Sequence, residues 1–243
     1  MKIYFNLATR IGLFSSKFPH GSWLRCLFEF RSIDSHERYN IVAKLLEQIN
    51  CFRVLDVGSG GISPLCNMGF RVISIDVKSI GGVSVVASAT HLPFRSLSFD
   101  CATAVDSLEH IDSCSRVDAI LEIKRVSRLA IIHLPLQDNK VFMGRFGDRN
   151  FLEKIRKHNM NAPIHYIEHL TCREPNPEEL EKFGFHIENP DWNINVWLTF
   201  MTLQYRTGCL INFVLVPFYF FLLRHVNVPP WWGAYLITRA KPS

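Results

Sequence analysis

The sequence lacks the patterns that mark several common classes of protein. Its seven cysteines are scattered and odd in number, with no Cys-x-x-Cys pair, so we expect reduced thiols and neither a disulfide framework nor a zinc site. There is no long run of lysine and arginine with interleaved aromatics, and the net charge is only +5, so we expect no nucleic-acid partner. The N-terminal residues lack a continuous apolar stretch, which predicts no cleaved signal peptide and a cytoplasmic location.

The clearest pattern present is residues 54–60, an apolar strand sequence that contains Asp56 and ends in a turn with Gly58 and Gly60. Glycine permits a sharp turn and lets a ligand approach the main chain closely. Ser63 and the proline after it are typical of a helix N-cap and first helical position. We therefore expect a helix whose free N–H groups point at a nucleotide-like ligand above the glycines.

A second strand sequence, residues 71–76, ends at Asp76, about 18 residues past Gly58. A carboxylate at this place can accept hydrogen bonds from both hydroxyls of a ribose. A cap at the end of the strand is an equally good role for Asp76 alone. Asp76 together with the glycine turn favours a ligand contact.

Strand and helix patterns alternate along the chain, which predicts an α/β fold with a doubly wound, mostly parallel sheet and an extra terminal strand. We expect strands near 52–57, 71–76, 83–86, 101–105, 129–134, 184–188 and 234–239, and helices near 35–49, 115–126 and 177–183. The predicted divisions are an N-terminal helical or cap segment (1–34), a core (35–191), an apolar helical insertion (192–230) and the final strand (231–243).

Five short motifs occur in a single order along the chain: residues 55–60, Ile75-Asp76, Leu92-Pro93-Phe94, Phe99-Asp100 and Leu108-Glu109-His110-Ile111. Together they resemble the class I S-adenosylmethionine-dependent methyltransferases, in the small-molecule branch called type 11, over about residues 50–135. The resemblance implies a Rossmann-like, seven-stranded sheet whose last strand is antiparallel. It also implies an enzyme that uses S-adenosylmethionine as co-substrate.

The resemblance assigns cofactor-binding residues, from the methionine part and the ribose to the adenine and the sulfonium: Asp56, Gly58, Ser59, Gly60, Asp76, Val77, Ser88, Ala89, Asp106, Ser107 and Leu108. Two positions depart from the family pattern, because Ile62 replaces a third glycine and Ser88 replaces an adenine-facing acid. These departures leave open a non-catalytic scaffold or binding protein with the same fold. An NAD-linked oxidoreductase is disfavoured, since Ser63 stands where its last glycine would fall.

Histidines at the expected ligand-binding edge of the sheet are candidates to contact a methyl acceptor. His110 follows the fourth predicted strand and His133 ends the fifth, so both are predicted as catalytic residues, either of which could act as a base. His165 and His169 share one face if their segment is helical, and we expect surface or structural roles for them.

Asp106, Glu109 and His110 have a spacing that could converge on a cation from one helical turn. The cluster is similar to one that ligates a divalent metal in quinone-biosynthesis O-methyltransferases. It is also common in relatives without a metal, so we expect no metal ion here.

Residues 192–223 are the second unusual stretch, because Arg206 is their only formally charged residue. Three interpretations fit: a buried helical pair packed on the domain or on a second copy, a monotopic contact with the inner face of a membrane, or a span. The return of the final strand to the sheet disfavours a span. The uncharged run Thr207–Leu223 within it is flanked, as by interface aromatics, by Trp192, Trp197, Tyr205, Trp231 and Trp232. The position suggests a small-molecule or lipid-like acceptor and leaves a homodimer open.

Overall fold

A computed structural model describes residues 24, 33–158, 164–207, 211–223 and 228–239. Its strands are β1 (Arg53–Val57), β2 (Arg71–Asp76), β3 (Val85–Val86), β4 (Phe99–Val105), β5 (Ser127–Pro135), β6 (His186–Pro190) and β7 (Gly233–Arg239). They form one sheet in the order β3-β2-β1-β4-β5-β7-β6. The first five strands are parallel, and β7 is antiparallel to both of its neighbours.

The helices are α1 (Ile33–Gln48), α2 (Ser113–Val126), α3 (Gly144–Lys157), α4 (Ile164–Cys172), α5 (Pro177–Glu181), α6 (Ile194–Thr207) and α7 (Asn212–Phe218). Short 3₁₀ segments cover Pro64–Met68 and Leu108–His110, and a π-helical turn covers Tyr219–Leu223. The predicted seven-stranded, mostly parallel sheet is confirmed. Each of the seven predicted strands is present, as are the helices predicted near 35–49, 115–126 and 177–183, with no end displaced by more than two residues.

The central strands are apolar because both faces of the sheet are covered. Along β1, Val54 packs in a cluster with residues of α1, whereas Leu55 and Val57 pack on the opposite face with residues of α2. Alternate side chains of a strand point to opposite faces, so a strand covered on both sides needs an almost continuous apolar sequence. This arrangement leaves the carboxyl ends of β1, β2 and β4 as the edge where polar side chains gather.

The helix expected after the glycine turn is reduced to the five-residue 3₁₀ segment Pro64–Met68. Ser63 caps it as predicted, because its side chain accepts a hydrogen bond from the N–H of Leu65. Gly69 ends the segment with φ +91°. The ten residues between Gly60 and β2 must also return the chain to the sheet, so they cannot build a long helix aimed at the turn.

The expectation that all cysteines are reduced is wrong for one pair, since Cys51 and Cys101 form a disulfide. Cys51 lies two residues before the start of β1 and Cys101 lies in the adjacent strand β4, with Cα atoms 6.2 Å apart. The two residues are separated by 50 positions, so cysteine spacing alone gave no sign of the pairing. Among the described cysteines, Cys66, Cys114 and Cys172 are free thiols.

The apolar stretch lies between β6 and β7, as α6, α7 and the π-helical turn. Trp192 and Trp197 are buried, in a cluster with Phe151 of α3 and Trp232. They are therefore core residues of this layer and not the interface aromatics expected from the sequence. None of the helices in the described part of the chain combines the length and hydropathy needed to traverse a bilayer. The predicted cap segment falls almost entirely on residues 1–23 and 25–32, outside the described residues.

Candidate active site

A cleft of about 730 Å³ opens at the carboxyl ends of β1, β2 and β4. Its volume falls within the range of roughly 300–1,000 Å³ that small-molecule sites occupy. Chain order reverses between β1 and β4, and open α/β sheets bind ligands at such a switch point. Nine of the predicted site residues line this cleft: Gly58, Gly60, Asp76, Val77, Ser88, Ala89, Asp106, Ser107 and His110.

The glycine turn packs against the segment that leaves β4. Gly58 has φ +75°, and a Cβ placed on it would lie 2.3 Å from Cβ of Ser107. The N–H groups of Gly58 and Ser59 both donate to the carbonyl of Ile75, at 2.8 and 3.0 Å. The conformation and the close approach both require glycine at position 58.

Asp76 forms the wall of the cleft beside that turn. Its Oδ2 accepts a hydrogen bond from the N–H of Gly60, and its Oδ1 accepts one from the N–H of Lys78, both at 2.9 Å. An ionised carboxylate has about four lone-pair sites, so two acceptor positions remain for hydroxyl groups of a ligand. The side chain is thus held in place and still able to bind.

Three predicted cofactor residues lie behind the cleft lining. Asp56 is fully buried, its Oδ1 accepts from the hydroxyl of Thr103 at 2.7 Å, and burial raises its pKa. The hydroxyl of Ser59 donates to the carbonyl of Gly61 at 2.8 Å, and Leu108 is a core residue. These side chains support the turn and the strand end, and their direct contact with a cofactor stays a prediction.

Asp106 does not share a helical turn with Glu109 and His110, contrary to the spacing argument. It has φ +49°, a left-handed conformation that Asp tolerates better than most residues, before the 3₁₀ turn begins at Leu108. Its carboxylate forms an ion pair with Arg38 of α1 and lies 2.8 Å from Nδ1 of His133. The acidic side chain therefore points away from the other two members of the predicted cluster.

His133 is fully buried and does not line the cleft. Its Nδ1 faces Asp106 and its Nε2 lies 2.9 Å from Oδ2 of Asp191. His133 therefore reaches the cleft only through Asp106, and its assignment as a group that contacts the acceptor stays a prediction.

His110 lines the cleft and faces side chains of α4. Its Nε2 lies 3.3 Å from Nε2 of His169, and its Nδ1 lies 3.0 Å from Oε2 of Glu168. Burial lowers the pKa of His110, which favours the neutral imidazole. His169 is buried, so a surface role for it is excluded. The side chain of His165 lies outside the described residues.

Residues 55–129 match a family model described as a methyltransferase domain. This is the segment that contains the glycine turn, Asp76 and the Asp106–His110 edge of the cleft. Over these residues the chain is similar to class I S-adenosylmethionine-dependent methyltransferase domains. No curated protein matches the chain.

The sheet and its helices have the fold of solved structures of low sequence identity. The YcgJ protein of Bacillus subtilis is 15% identical, with a TM-score of 0.50, and the match covers 85% of this chain and 100% of that one. The small RNA methyltransferase HEN1 is 14% identical, with a TM-score of 0.52, over 86% of this chain and 25% of that one. At these identities the likeness establishes the fold and does not extend to the acceptor.

Several residues in the wall of the cleft, or in contact with residues of that wall or their partners, were not found from the sequence. Arg38 sits within an ordinary amphipathic helical pattern, and Glu168 and Asp148 lie on helices outside the recognised motifs. Their neighbours in space come from distant strands, so local patterns carry no signal for them. The paired histidines at 165 and 169 were the one feature that pointed to this region.

The 3₁₀ turn that carries His110 is held by Arg116 of α2, whose guanidinium donates to main-chain carbonyls of Leu108, Ile111, Cys172 and Arg173 at 2.7–3.1 Å. Arg116→Met leaves these carbonyls without their charged donor. We expect it to lower the free energy of unfolding by about 3 kcal/mol, measured by urea denaturation. Arg95→Met, at an exposed arginine, is the control and should change it by less than about 0.5 kcal/mol. An equal effect of the two substitutions would contradict the role of Arg116.

Proposed function

We propose that the protein transfers a methyl group from S-adenosylmethionine to a small-molecule or lipid-linked acceptor in this cleft. The observation that carries the proposal is that one cleft joins the glycine turn and Asp76 at one end to Asp106 and His110 at the other. Such a cleft suits a donor and an acceptor bound side by side, and alignment is the main requirement of an in-line displacement.

The residues present fit the cofactor. Open space surrounds the missing Cβ of Gly60, so a ligand can approach the main chain there; Asp76 offers carboxylate lone pairs to a ribose, and Ala89 contributes an apolar surface beside Ser88. When bound, S-adenosylmethionine supplies a methyl group on a sulfonium, already activated for attack by a nucleophilic atom. Gly58, Gly60, Asp76, Ser88 and Ala89 are the side of the cleft that we assign to it.

The other side of the cleft is assigned to the acceptor. Ile111 and Ile164 contribute apolar surface there, and His110 and Glu168 contribute polar groups. We assign contact with the acceptor to His110. His133, which is buried behind Asp106, is assigned a positioning role, because it holds that carboxylate at the rim.

The proposal is tested by calorimetric titration of S-adenosylmethionine and S-adenosylhomocysteine into the full chain, followed by a methyl-transfer assay. Short water-soluble acceptors and isoprenoid-linked acceptors are compared in that assay, with formation of S-adenosylhomocysteine as the signal. We expect micromolar binding of both nucleosides and turnover with one acceptor class. Absence of binding by folded protein would overturn the proposal and favour the scaffold alternative.

A lipid-linked acceptor is favoured by the outer face of α7 and the π-helical turn. Phe213, Val214 and Phe218 of α7 are exposed, and so are Phe221 and Leu222, whereas their neighbours on the opposite helical face are buried. No formally charged residue occurs between Thr207 and Leu223. An uncharged aromatic face of this kind suits shallow contact with a lipid surface.

The double substitution Phe221→Ser and Leu222→Ser is expected to lower binding to phosphatidylcholine and phosphatidylglycerol vesicles by about tenfold. Each large side chain contributes apolar area worth roughly 1.5–3 kcal/mol when fully buried, and contact with a lipid surface buries only part of it. Co-sedimentation with the vesicles measures the effect. Phe146→Ser, at an exposed phenylalanine of α3, is the matched control. Vesicle binding that both variants retain, or that the parent chain lacks, would contradict a lipid contact through this face.

A further inference from the structure

Beside the cleft, three side chains that can ligate a metal converge from two separate parts of the chain. Glu109 and His110 belong to the 3₁₀ turn after β4, and His169 belongs to α4. One potential ligand atom from each lies within 4.8 Å of the others. We propose that Glu109, His110 and His169 bind one divalent transition-metal ion.

The buried carboxylate of Glu109 is the first argument for an ion. Glu109 is fully buried, and neither of its carboxylate oxygens has a hydrogen-bond partner among the described residues. Burial of an unpaired carboxylate is costly, so such groups are normally paired or coordinate a metal. Arg116 lies close enough to interact electrostatically with Glu109, but its described hydrogen bonds go to main-chain carbonyls, so it gives the carboxylate oxygens no hydrogen bond.

The orientation of the two histidines is the second argument. Asp148 Oδ2 forms a hydrogen bond of 2.6 Å with Nδ1 of His169. Glu168 Oε2 lies 3.0 Å from Nδ1 of His110, as an ion-pair contact without hydrogen-bond geometry. If each Nδ1 carries the proton, each Nε2 presents a lone pair, and the two Nε2 atoms face one another at 3.3 Å. A carboxylate on the outer ring nitrogen is the usual support of a metal-bound histidine. The indole N–H of Trp232 donates to the other oxygen of Asp148 at 2.9 Å and holds it in place.

The separations between the ligand atoms suit a shared ion better than direct hydrogen bonds. His169 Nε2 lies 3.3 Å from His110 Nε2 and 3.7 Å from Glu109 Oε1. The 3.7 Å separation exceeds the usual length of an N–H···O hydrogen bond, about 2.7–3.2 Å, and the 3.3 Å separation is that of a long hydrogen bond. Two atoms bound to one ion at about 2.1 Å lie roughly 3.0–4.2 Å apart, and both separations fall in that interval.

The donor set selects the class of ion. Two imidazoles and one carboxylate suit Zn²⁺, Fe²⁺, Co²⁺ or Ni²⁺, whereas Mg²⁺ favours oxygen ligands. An ion with three protein ligands keeps at least one coordination position open. That position would face the cleft, because His110, one of the three ligands, lines the cleft together with Glu168. An acceptor atom could bind the ion at that position only if the proposed methyl transfer is correct. The binding of the ion itself does not depend on the proposed function.

The test uses Co²⁺ as the probe, titrated into the full chain after chelator treatment and followed by its d–d absorption and by equilibrium dialysis. We expect one Co²⁺ per chain, competition by Zn²⁺, and at least about a hundredfold weaker binding of Mg²⁺. Glu109→Gln, His110→Ala and His169→Gln should each weaken Co²⁺ binding by at least about a hundredfold. Asp148→Asn should weaken it by roughly ten- to a hundredfold, as loss of a supporting carboxylate does.

His186→Ala is the matched control, because His186 lies 3.6 Å from Glu188 on the surface and should not contribute. Circular dichroism of each metal-free variant establishes folding. If Glu109→Gln or His169→Gln fails to fold, His110→Ala still tests the proposal, because the side chain of His110 is partly exposed. Absence of stoichiometric Co²⁺ binding by the folded chain would overturn the proposal. So would binding that His110→Ala leaves unchanged, or Mg²⁺ binding as tight as that of Co²⁺.

Discussion

Gly58→Ala is expected to reduce the affinity for S-adenosylhomocysteine by at least about a hundredfold in a chain that still folds. Two effects combine at this position. A Cβ would lie 2.3 Å from Cβ of Ser107, so the turn and the segment after β4 must move apart. The φ of +75° is also strained for alanine, at a cost of about 1–2 kcal/mol. Both displaced segments line the cleft, so the distortion falls on the ligand-binding surface.

A graded series separates the close approach from backbone strain. Gly60 has φ +62° with open space around its missing Cβ, so Gly60→Ala should weaken binding by only about tenfold. Gly81 has neither a positive φ nor a neighbouring atom within 4 Å, and Gly81→Ala is the control expected to bind as the parent does.

The double substitution Gly58→Ala with Ser107→Gly removes the atom with which the new Cβ collides. We expect it to recover about tenfold of the lost affinity, leaving the cost of the strained φ. Calorimetry with S-adenosylhomocysteine measures the series. Equal losses in the single and double variants, or a Gly58→Ala chain that binds as the parent does, would contradict the proposed contact between the turn and the ligand.

The sheet could be predicted from the sequence because its signals are local. Apolar runs such as those of β1 and β2 end in an acidic residue or a glycine turn, and each strand is recognisable within about six residues. The number of strands and the antiparallel direction of the last one came from the resemblance. The order of the strands was not predicted, since single-strand patterns do not specify neighbours. The 3₁₀ segment after the turn was mispredicted as a helix because Ser63 and Pro64 are the correct start of either structure.

The half of the candidate site that lies on recognised motifs could also be predicted from local sequence patterns. Gly58 and Asp106 directly follow strands and Asp76 ends one, and parallel strands bring their carboxyl ends to one edge. The partners of the other half arrive from distant helices: Arg38 from α1, and His169 from α4. A spacing argument grouped Asp106 with Glu109 and His110, but the left-handed conformation of Asp106 directs it to Arg38 instead.

Asp76→Ala is expected to raise the Kd for S-adenosylhomocysteine by at least about a hundredfold. The carboxylate is proposed to accept two hydrogen bonds from the ribose, and a hydrogen bond to a charged group contributes about 1.5–3 kcal/mol. Asp76 also holds the glycine turn through the N–H of Gly60, so part of the loss would come from a loosened turn. Asp76→Asn keeps the shape and one acceptor oxygen but removes the charge, and should fall between the parent and Asp76→Ala.

Asp100→Ala is the matched control for Asp76→Ala. Asp100 also lies on a strand, but near the start of β4, where it forms an exposed ion pair with Arg53 at 3.0 Å. An exposed pair contributes little to stability, so this variant should bind S-adenosylhomocysteine as the parent does. Asp76→Ala alters the carboxyl end of a strand, whereas Asp100→Ala alters the amino end of one. A loss of affinity confined to Asp76→Ala would therefore locate the ligand at the carboxyl edge of the sheet. Retention of affinity by Asp76→Ala, within about threefold of the parent, would contradict a ribose at β2, and equal losses in the two variants would indicate a general loss of structure.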